Sequence, residues 1–115
     1  MPDAKMLVFS NATEGQDATF NEWYDTVHLA DVLSVPGVVG GQRFELVPNS
    51  LPGQEAPEHR YLAVYDLDAD PDSVVRAFQE RAGSGEIPLS PALDVRSLAV
   101  SVWRASGERQ VPDVE

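Results

Sequence analysis

The sequence predicts an α+β fold in which a four-stranded antiparallel sheet carries two helices on one face. Four short segments rich in β-branched, aromatic and other apolar residues alternate with two segments of helical character, in the order β-α-β-β-α-β. Glycine and proline interrupt the chain where several of these segments end. This order of elements is typical of a sandwich with one sheet layer and one helical layer.

The first strand and the first helix occupy the N-terminal third of the chain. Residues 5–10 are a short apolar run with β-favouring residues, which predicts a buried strand. Thr19 and Glu22 have the spacing of a capping box, in which the threonine hydroxyl and the glutamate carboxylate each accept from a backbone amide at the helix start. We therefore expect the helix to begin near Thr19, and Pro36-Gly37 to end it.

The remaining elements follow from similar signals. Gly40-Gly41 indicates a β-bulge or a close backbone approach inside the second strand. In order, the sequence predicts a second strand over residues 38–47, a polar connection over 48–59, a third strand over 60–67, a helix over 70–82 and a fourth strand over 97–105. The connection and the C-terminal tail are expected to be the most mobile parts, because neither has apolar residues at a regular spacing.

Length and composition narrow the class of protein. A chain of 115 residues predicts a single domain, over residues 1–105, followed by a polar tail over 106–115. The net charge of -11 repels a phosphate backbone, so we expect no nucleic-acid partner. The absence of cysteine excludes disulfides, thiolate catalysis and cysteine-ligated metals. No export signal or membrane-spanning run is seen, so we expect a cytoplasmic protein without a membrane partner.

The predicted sheet is a ferredoxin-like sandwich that is apolar on both faces. In the third strand Tyr61, Ala63 and Tyr65 point to one side, and Leu62 and Val64 point to the other. The two helices cover one face, and a second copy of the sheet is the simplest cover for the other. We therefore predict a homodimer formed through the helix-free face.

Four segments of the chain resemble the EthD-like group of the dimeric α/β-barrel superfamily, namely residues 23–29 (WYDTVHL), 35–37 (VPG), 43–46 (RFEL) and 61–65 (YLAVY). The likeness covers roughly residues 5 to 105. It implies two ferredoxin-like protomers joined back to back as a dimeric α/β barrel, each with a ligand cleft between its own sheet and helices. Because the superfamily performs several chemistries, the resemblance implies a small-molecule site and no particular substrate.

His28 is the principal chemical candidate. It is one of two histidines, and a helical projection places it beside Tyr24 at the border of an aromatic face. Three roles are open: a catalytic acid or base, a structural residue bonded to a backbone carbonyl, or a heme ligand, as in the chlorite dismutase branch of the superfamily that the chain resembles. The carboxylates of Asp25 and Asp31 favour a charged imidazole and burial opposes it, so the sign of its pKa shift is left open.

Further candidates lie near His28 in the predicted fold. Tyr24, one turn earlier, could act with His28 by donating to a substrate oxygen, or could simply fill the core. The substrate-binding candidates are Trp23, Asp25, Arg43, Tyr61 and Tyr65. Packing is the alternative for the aromatic residues, and an ion pair with an acid such as Glu45 is the alternative for Arg43.

The sequence offers no sign of a metal or a nucleotide cofactor. His59 lies in the polar connection, where exposure is expected, and its spacing from His28 is not that of a metal pair. No phosphate-binding or dinucleotide motif is present. We expect neither a metal site nor a cofactor.

Two functions are compatible with these residues. One is an enzyme without cofactor, acting on a hydrophobic aromatic or polyketide-like molecule as a cyclase, isomerase or oxygenase, with His28 as general acid or base. The other is a non-catalytic ligand-binding or accessory protein of a degradative or biosynthetic pathway, in which His28 is structural. An imidazole that faces an enclosed cleft favours the enzyme, and one bonded to a backbone carbonyl in a packed core favours the binding protein.

Overall fold

The computed structural model describes residues 4–48 and 51–113, so parts of both termini and of the polar connection lie outside the described residues. Within these ranges the chain forms one antiparallel sheet in the order β2-β3-β1-β4. Its strands are β1 (Ala4–Ser10), β2 (Val38–Glu45), β3 (Tyr61–Leu67) and β4 (Ala99–Arg104). The predicted β-α-β-β-α-β order and fold class are confirmed.

The first helical region consists of three consecutive segments, which are α1 (Asp17–Trp23), a π-helical turn (Tyr24–His28) and α2 (Leu29–Leu33). The second helix is α3 (Pro71–Ser84). Asp70 caps α3 by accepting from the amide of Ser73, and Gly85 ends the helix with a φ of 84°. Both helical regions contribute buried side chains to the same core as the inner face of the sheet.

The capping-box prediction is wrong. The helix begins at Asp17, and Gln16 is the N-cap residue without a side-chain cap bond. Gly15, with a φ of 79°, turns the chain earlier than expected, and the amide of Gln16 donates to the carbonyl of Thr13 at 2.9 Å. Thr19 therefore already lies inside the first turn, where its position is not that of a cap.

The glycine pair in β2 forms the predicted irregularity. Val38 lies opposite Leu67 and Gly40 lies opposite Asp66, so one residue of β2 has no partner in the register. At Gly41 an added Cβ atom would lie 3.0 Å from the ring of Tyr65. The bulge and the close backbone approach are both present, and glycine is the residue that permits the second of them.

The helices cover one face of the sheet and leave the other without a covering layer. The inner face packs against the helices, and its central strands contribute fully buried residues such as Met6 and Tyr65. The helix-free face remains partly open to solvent and carries these apolar side chains: Leu7, Phe9, Phe44, Leu62, Val64, Ala99 and Trp103. Among the described residues no helix is long and apolar enough to cross a bilayer.

The polar connection returns to the body of the protein at its C-terminal end. The side chain of Asn11 donates to the carbonyl of Glu58 at 3.1 Å and accepts from the amide of Arg60 at 2.8 Å. His59 is half-buried, because its Nε2 donates to the carbonyl of Ser97 at 2.5 Å and its ring lies 5.6 Å from that of Phe9. The expectation that His59 is exposed is therefore wrong.

Candidate functional site

A cavity of about 200 Å³ lies between the inner face of the sheet and the helices. Most of its lining is aliphatic, and the polar side chains that reach it are those of Tyr24, His28, Tyr65 and Gln79. An apolar cavity with a few convergent polar groups is the usual form of a small-molecule site. The volume suits a compact ligand, because sites for drug-sized molecules enclose about 300–1,000 Å³.

Two tyrosine hydroxyls meet at the cavity wall. The hydroxyl of Tyr24, from the π-helical turn, lies 2.9 Å from that of Tyr65, from β3. Burial raises the pKa of both phenols above the ordinary tyrosine range, and Arg43 opposes that rise in each. Because one hydroxyl donates to the other, the second keeps a free hydrogen that can be donated to a ligand oxygen.

The imidazole of His28 is buried and enclosed by aromatic rings. Its ring stacks on that of Trp23 at 4.5 Å and meets the edge of Tyr24 at 4.8 Å, with interplanar angles of 23° and 90°. Phe78 from α3 approaches to 6.4 Å. The Nδ1 atom is buried and has no hydrogen-bond partner among residues 4–48 and 51–113. Because this atom has almost no accessible surface, the surrounding side chains enclose it and a ligand in the cavity meets other atoms of the ring.

The protonation of His28 follows from its burial. Removal of the ring from water lowers its pKa to about 4, and the nearby carboxylate of Asp31 opposes this shift without reversing it. At neutral pH the imidazole is therefore uncharged, with a lone pair on one of its ring nitrogens. The sequence left open whether the pKa of His28 is raised or lowered, and in the structure burial lowers it.

A π-helical turn brings these groups together. Tyr24 and His28 stand at its two ends, and both are buried. The hydroxyl of Thr26 donates to the carbonyl of Glu22 at 2.6 Å, which gives that carbonyl a partner beside the widened turn. Single π-helical turns occur mostly inside α-helices and often at functional sites. The sequence did not predict this turn.

A second, open cleft lies on the other side of Tyr24, where Arg43 of β2 faces the first helix. Its Nη1 donates to Asp25 Oδ1 at 2.8 Å and its Nη2 donates to Asn21 Oδ1 at 2.7 Å. The hydroxyl of Tyr61 donates to Asp17 Oδ2 at 2.6 Å. This cleft is polar, in contrast to the cavity.

The sequence-predicted residues therefore divide between two places. His28, Tyr24 and Tyr65 line the cavity, and Trp23 covers the ring of His28 without lining the cavity itself. Asp25, Arg43 and Tyr61 lie together in the open cleft. The ion pair of Arg43 is with Asp25, although Glu45 was the acid considered from the sequence.

Sequence reasoning missed the part of the cavity that comes from the second half of the chain. Phe78, Gln79 and Ala82 of α3, with Leu89, Leu93 and Leu98 of the loop before β4, line it. The apolar residues between Pro88 and residue 98 were a usable signal, because several of them in one loop favour packing against the core, as Ala92 and Leu93 do here.

Comparison with known proteins shows which solved structures share this fold. Neither a family model nor a curated protein matches the chain. Among solved structures, an EthD family protein from Bacillus halodurans is 21% identical with a TM-score of 0.59, over 93% of this chain and 98% of its own. The heme-degrading protein MhuD of Mycobacterium tuberculosis, solved with two hemes in its active site, is 17% identical with a TM-score of 0.58, over 93% and 99%.

A third solved structure belongs to a predicted monooxygenase from Shewanella loihica, which is 12% identical with a TM-score of 0.61, over 94% of this chain and 99% of its own. These likenesses extend over nearly the whole length of each chain at low identity. The chain therefore has the EthD-like, ferredoxin-like fold of dimeric α/β-barrel proteins.

Proposed function

We propose that this chain, which has the fold of EthD-like dimeric α/β-barrel proteins, is a proton-transfer enzyme for a compact hydrophobic aromatic or polyketide-like substrate. One observation carries the proposal: the imidazole of His28, uncharged at neutral pH, lines an apolar cavity together with Tyr24 and Tyr65, whose hydroxyls are hydrogen-bonded to each other. Oxygenases and EthD-type proteins of the same fold make small-molecule chemistry a consistent assignment.

In the proposed reaction His28 takes a proton from a carbon next to a substrate carbonyl. The electron pair of the broken C–H bond moves toward the carbonyl oxygen and forms an enolate, while the imidazole becomes an imidazolium. A weak base with a pKa of about 4 needs help in this step. The tyrosine pair supplies it, because a hydroxyl that donates to the enolate oxygen stabilises the charge as it develops.

The imidazolium and the enolate then stand in the same apolar cavity, where each stabilises the charge of the other. Return of the proton to a different carbon completes an isomerisation. Attack of the enolate on a second carbonyl forms a C–C bond and an alkoxide, and transfer of the His28 proton to this alkoxide completes a cyclisation. In the corresponding oxygenation, molecular oxygen is the oxidant: the enolate carbon adds to it, and the His28 proton passes to the resulting peroxide. All three begin with the same proton transfer to His28.

Heme does not fit the cavity as it stands. A cavity of about 200 Å³ is smaller than usual sites for drug-sized ligands, and its described lining includes no arginine or lysine to pair with the carboxylates of a porphyrin. We therefore propose no heme step, although MhuD of the same fold has two hemes in its active site. The proposed chemistry needs no cofactor, and the protonated base is the chain's own His28.

The second candidate is a non-catalytic binding protein, which the apolar lining also suits. Exchange of substrate protons with solvent distinguishes the enzyme from the binding protein, because only an enzyme accelerates it. We expect the protein to accelerate α-proton exchange of a single-ring aryl ketone such as acetophenone in D₂O, followed by NMR. His28→Gln should slow this exchange about 100-fold, and His59→Gln, the matched control outside the cavity, should leave it unchanged.

The outcomes of this experiment are distinct. If a ketone binds but exchanges no faster than in buffer, the protein is a binding protein and the enzymatic proposal is wrong. If His28→Gln retains full exchange at an unchanged melting temperature, proton transfer does not use His28. Tyr24→Phe and Tyr65→Phe test the oxyanion role, because each removes one hydroxyl and leaves its ring in place.

A further inference from the structure

Arg43 occupies an unusual position behind the cavity. Its guanidinium carbon lies 4.6 Å from the ring centroid of Tyr24, and 5.5 and 5.7 Å from those of Phe20 and Tyr61. Only 13% of the side chain is exposed. Arg43 is not among the residues that line the cavity, so Tyr24 separates it from any ligand there.

The hydrogen bonds of Arg43 fix the guanidinium against this ring. Asp25 and Asn21, both in the first helical region, accept from its two terminal nitrogens at 2.8 and 2.7 Å. The side chain of Asp25 is 61% exposed, so water screens the pair on that side. Toward the interior, the positive charge faces an aromatic surface, where screening is weaker and the field of the charge is stronger.

We propose that Arg43 is a positioning residue that sets the direction of the tyrosine pair, so that Tyr65 donates to Tyr24 and Tyr24 donates to the ligand oxygen. This inference rests on the proposed function of the cavity. A cation beside one of two hydrogen-bonded phenols stabilises negative charge on the nearer oxygen, which makes the nearer phenol the more acidic and the better donor. Tyr24 is the nearer phenol.

The other groups around Tyr24 agree with this direction. The hydrogen bond between the two phenols lowers the pKa of Tyr24 and raises that of Tyr65, while the charge of Arg43 lowers the pKa of both. His28, which faces Tyr24 from the same helical region, is uncharged at neutral pH. The negative group beside Arg43 is Asp25, which accepts a hydrogen bond from the guanidinium that lies over the ring of Tyr24.

A coloured phenol reports this role directly. The absorbance of 4-nitrophenol distinguishes phenol from phenolate, so a pH titration with saturating protein gives the ionisation midpoint of the bound probe. We expect Arg43→Met to raise this midpoint by about one pH unit, a tenfold loss of bound phenolate relative to phenol. Arg43→Lys, which keeps the charge without the planar fork, should give a smaller rise.

Asp25→Asn is the companion variant with the opposite expected sign. It removes the negative charge that offsets Arg43 and keeps an oxygen to accept from Nη1, so the midpoint should fall below that of the unaltered protein. A purely structural role for Arg43 does not produce opposite shifts in these two variants. Nitrobenzene, which has the ring and nitro group of the probe but no hydroxyl, should bind all variants alike.

Each result decides the assignment. An unchanged midpoint in Arg43→Met, or equal weakening of nitrobenzene and 4-nitrophenol, overturns the role of Arg43 and leaves the proposed function of His28 standing. If Arg43→Met does not fold, an unchanged midpoint in Asp25→Asn overturns it. Failure of the unaltered protein to bind either probe overturns the cavity as a site, and with it both proposals.

Discussion

The rings of Trp23 and His28 stack at 4.5 Å although the residues are five positions apart in one helical region. In an α-helix each residue turns the chain by about 100°, so residues five apart point about 140° away from each other. The π-helical turn over Tyr24–His28 removes this separation, because a wider turn contains more residues. The stack covers one face of the imidazole and leaves its cavity side to a ligand.

Loss of this stack should change the ionisation of His28. We expect Trp23→Leu to admit water to the ring and to raise its pKa from about 4 toward the ordinary value of 6.5. NMR titration of the two histidines measures this, with the signal of His59 as an internal reference. The matched control is Trp103→Leu, because Trp103 is 60% exposed on the other face of the sheet. An unchanged pKa in Trp23→Leu would show that the stack does not shield His28.

Burial of an uncharged His28 predicts a pH dependence of stability with a definite sign. The folded-state pKa of about 4 lies below the unfolded value of 6.5, so between these values the unfolded chain binds more protons. The free energy of unfolding should therefore fall as the pH is lowered from 6.5 to 4, by about 3 kcal/mol from this group.

Urea denaturation across this pH range measures the effect. Because the carboxylates titrate in every variant, the informative quantity is the difference between the unaltered protein and His28→Gln. This difference should favour the unaltered protein increasingly as the pH rises through the window. Curves for His28→Gln that run parallel to those of the unaltered protein would contradict the burial argument.

The order of elements was predictable because it depends on local patterns. Short apolar runs gave the strands, Asp70-Pro71 gave the start of α3 and Gly40-Gly41 gave the irregularity in β2. The start of the first helix was not predictable from its capping motif, because the turn at Gly15 competes with it. Propensity and capping are local signals, and neighbouring turns can override them.

The site was predictable only in part. The alternation of β3 indicated that Tyr65 and Tyr61 share a face, and helical spacing placed Tyr24 beside His28. Their division between a cavity and an open cleft depends on how β2 and α3 pack on the sheet, which is a tertiary property. The π-helical turn has no sequence signature that we could use, because its residues are also compatible with an α-helix.

Gly41 should be required for the packing of Tyr65, one of the two hydrogen-bonded tyrosines. In Gly41→Ala the new Cβ meets the fully buried Tyr65 ring at 3.0 and 3.1 Å, so we expect a loss of about 1–3 kcal/mol through overpacking. Gly83→Ala is the matched control, because open space surrounds Gly83 in α3 and alanine favours a helix by about 0.5–1 kcal/mol. Thermal unfolding of both variants measures the difference, and equal melting temperatures would refute the close-packing argument.

The last prediction concerns the helix-free face of the sheet. Val64 lies in the central strand β3, opposite Leu7 of β1 and Gln42 of β2, and its side chain points to this face. If a second copy covers the face, as we propose, a charge at this point is buried without a partner when two sheets meet, at a cost of several kcal/mol. In a monomer Val64 is only partly buried, so the same charge still reaches water and costs less.

We therefore expect Val64→Glu to be a folded monomer at micromolar concentration, whereas we expect the unaltered protein to be a dimer. Sedimentation velocity measures the mass, and circular dichroism checks that the variant remains folded. Val111→Glu, at a 60%-exposed position in the C-terminal tail, is the matched control and should remain dimeric. A stable interface buries more than about 1,000 Å² in total, and its central contacts contribute most of the binding energy. A charge at the centre should therefore dissociate the dimer completely rather than weaken the association slightly. A dimeric Val64→Glu, or a monomeric unaltered protein, would contradict pairing through this face.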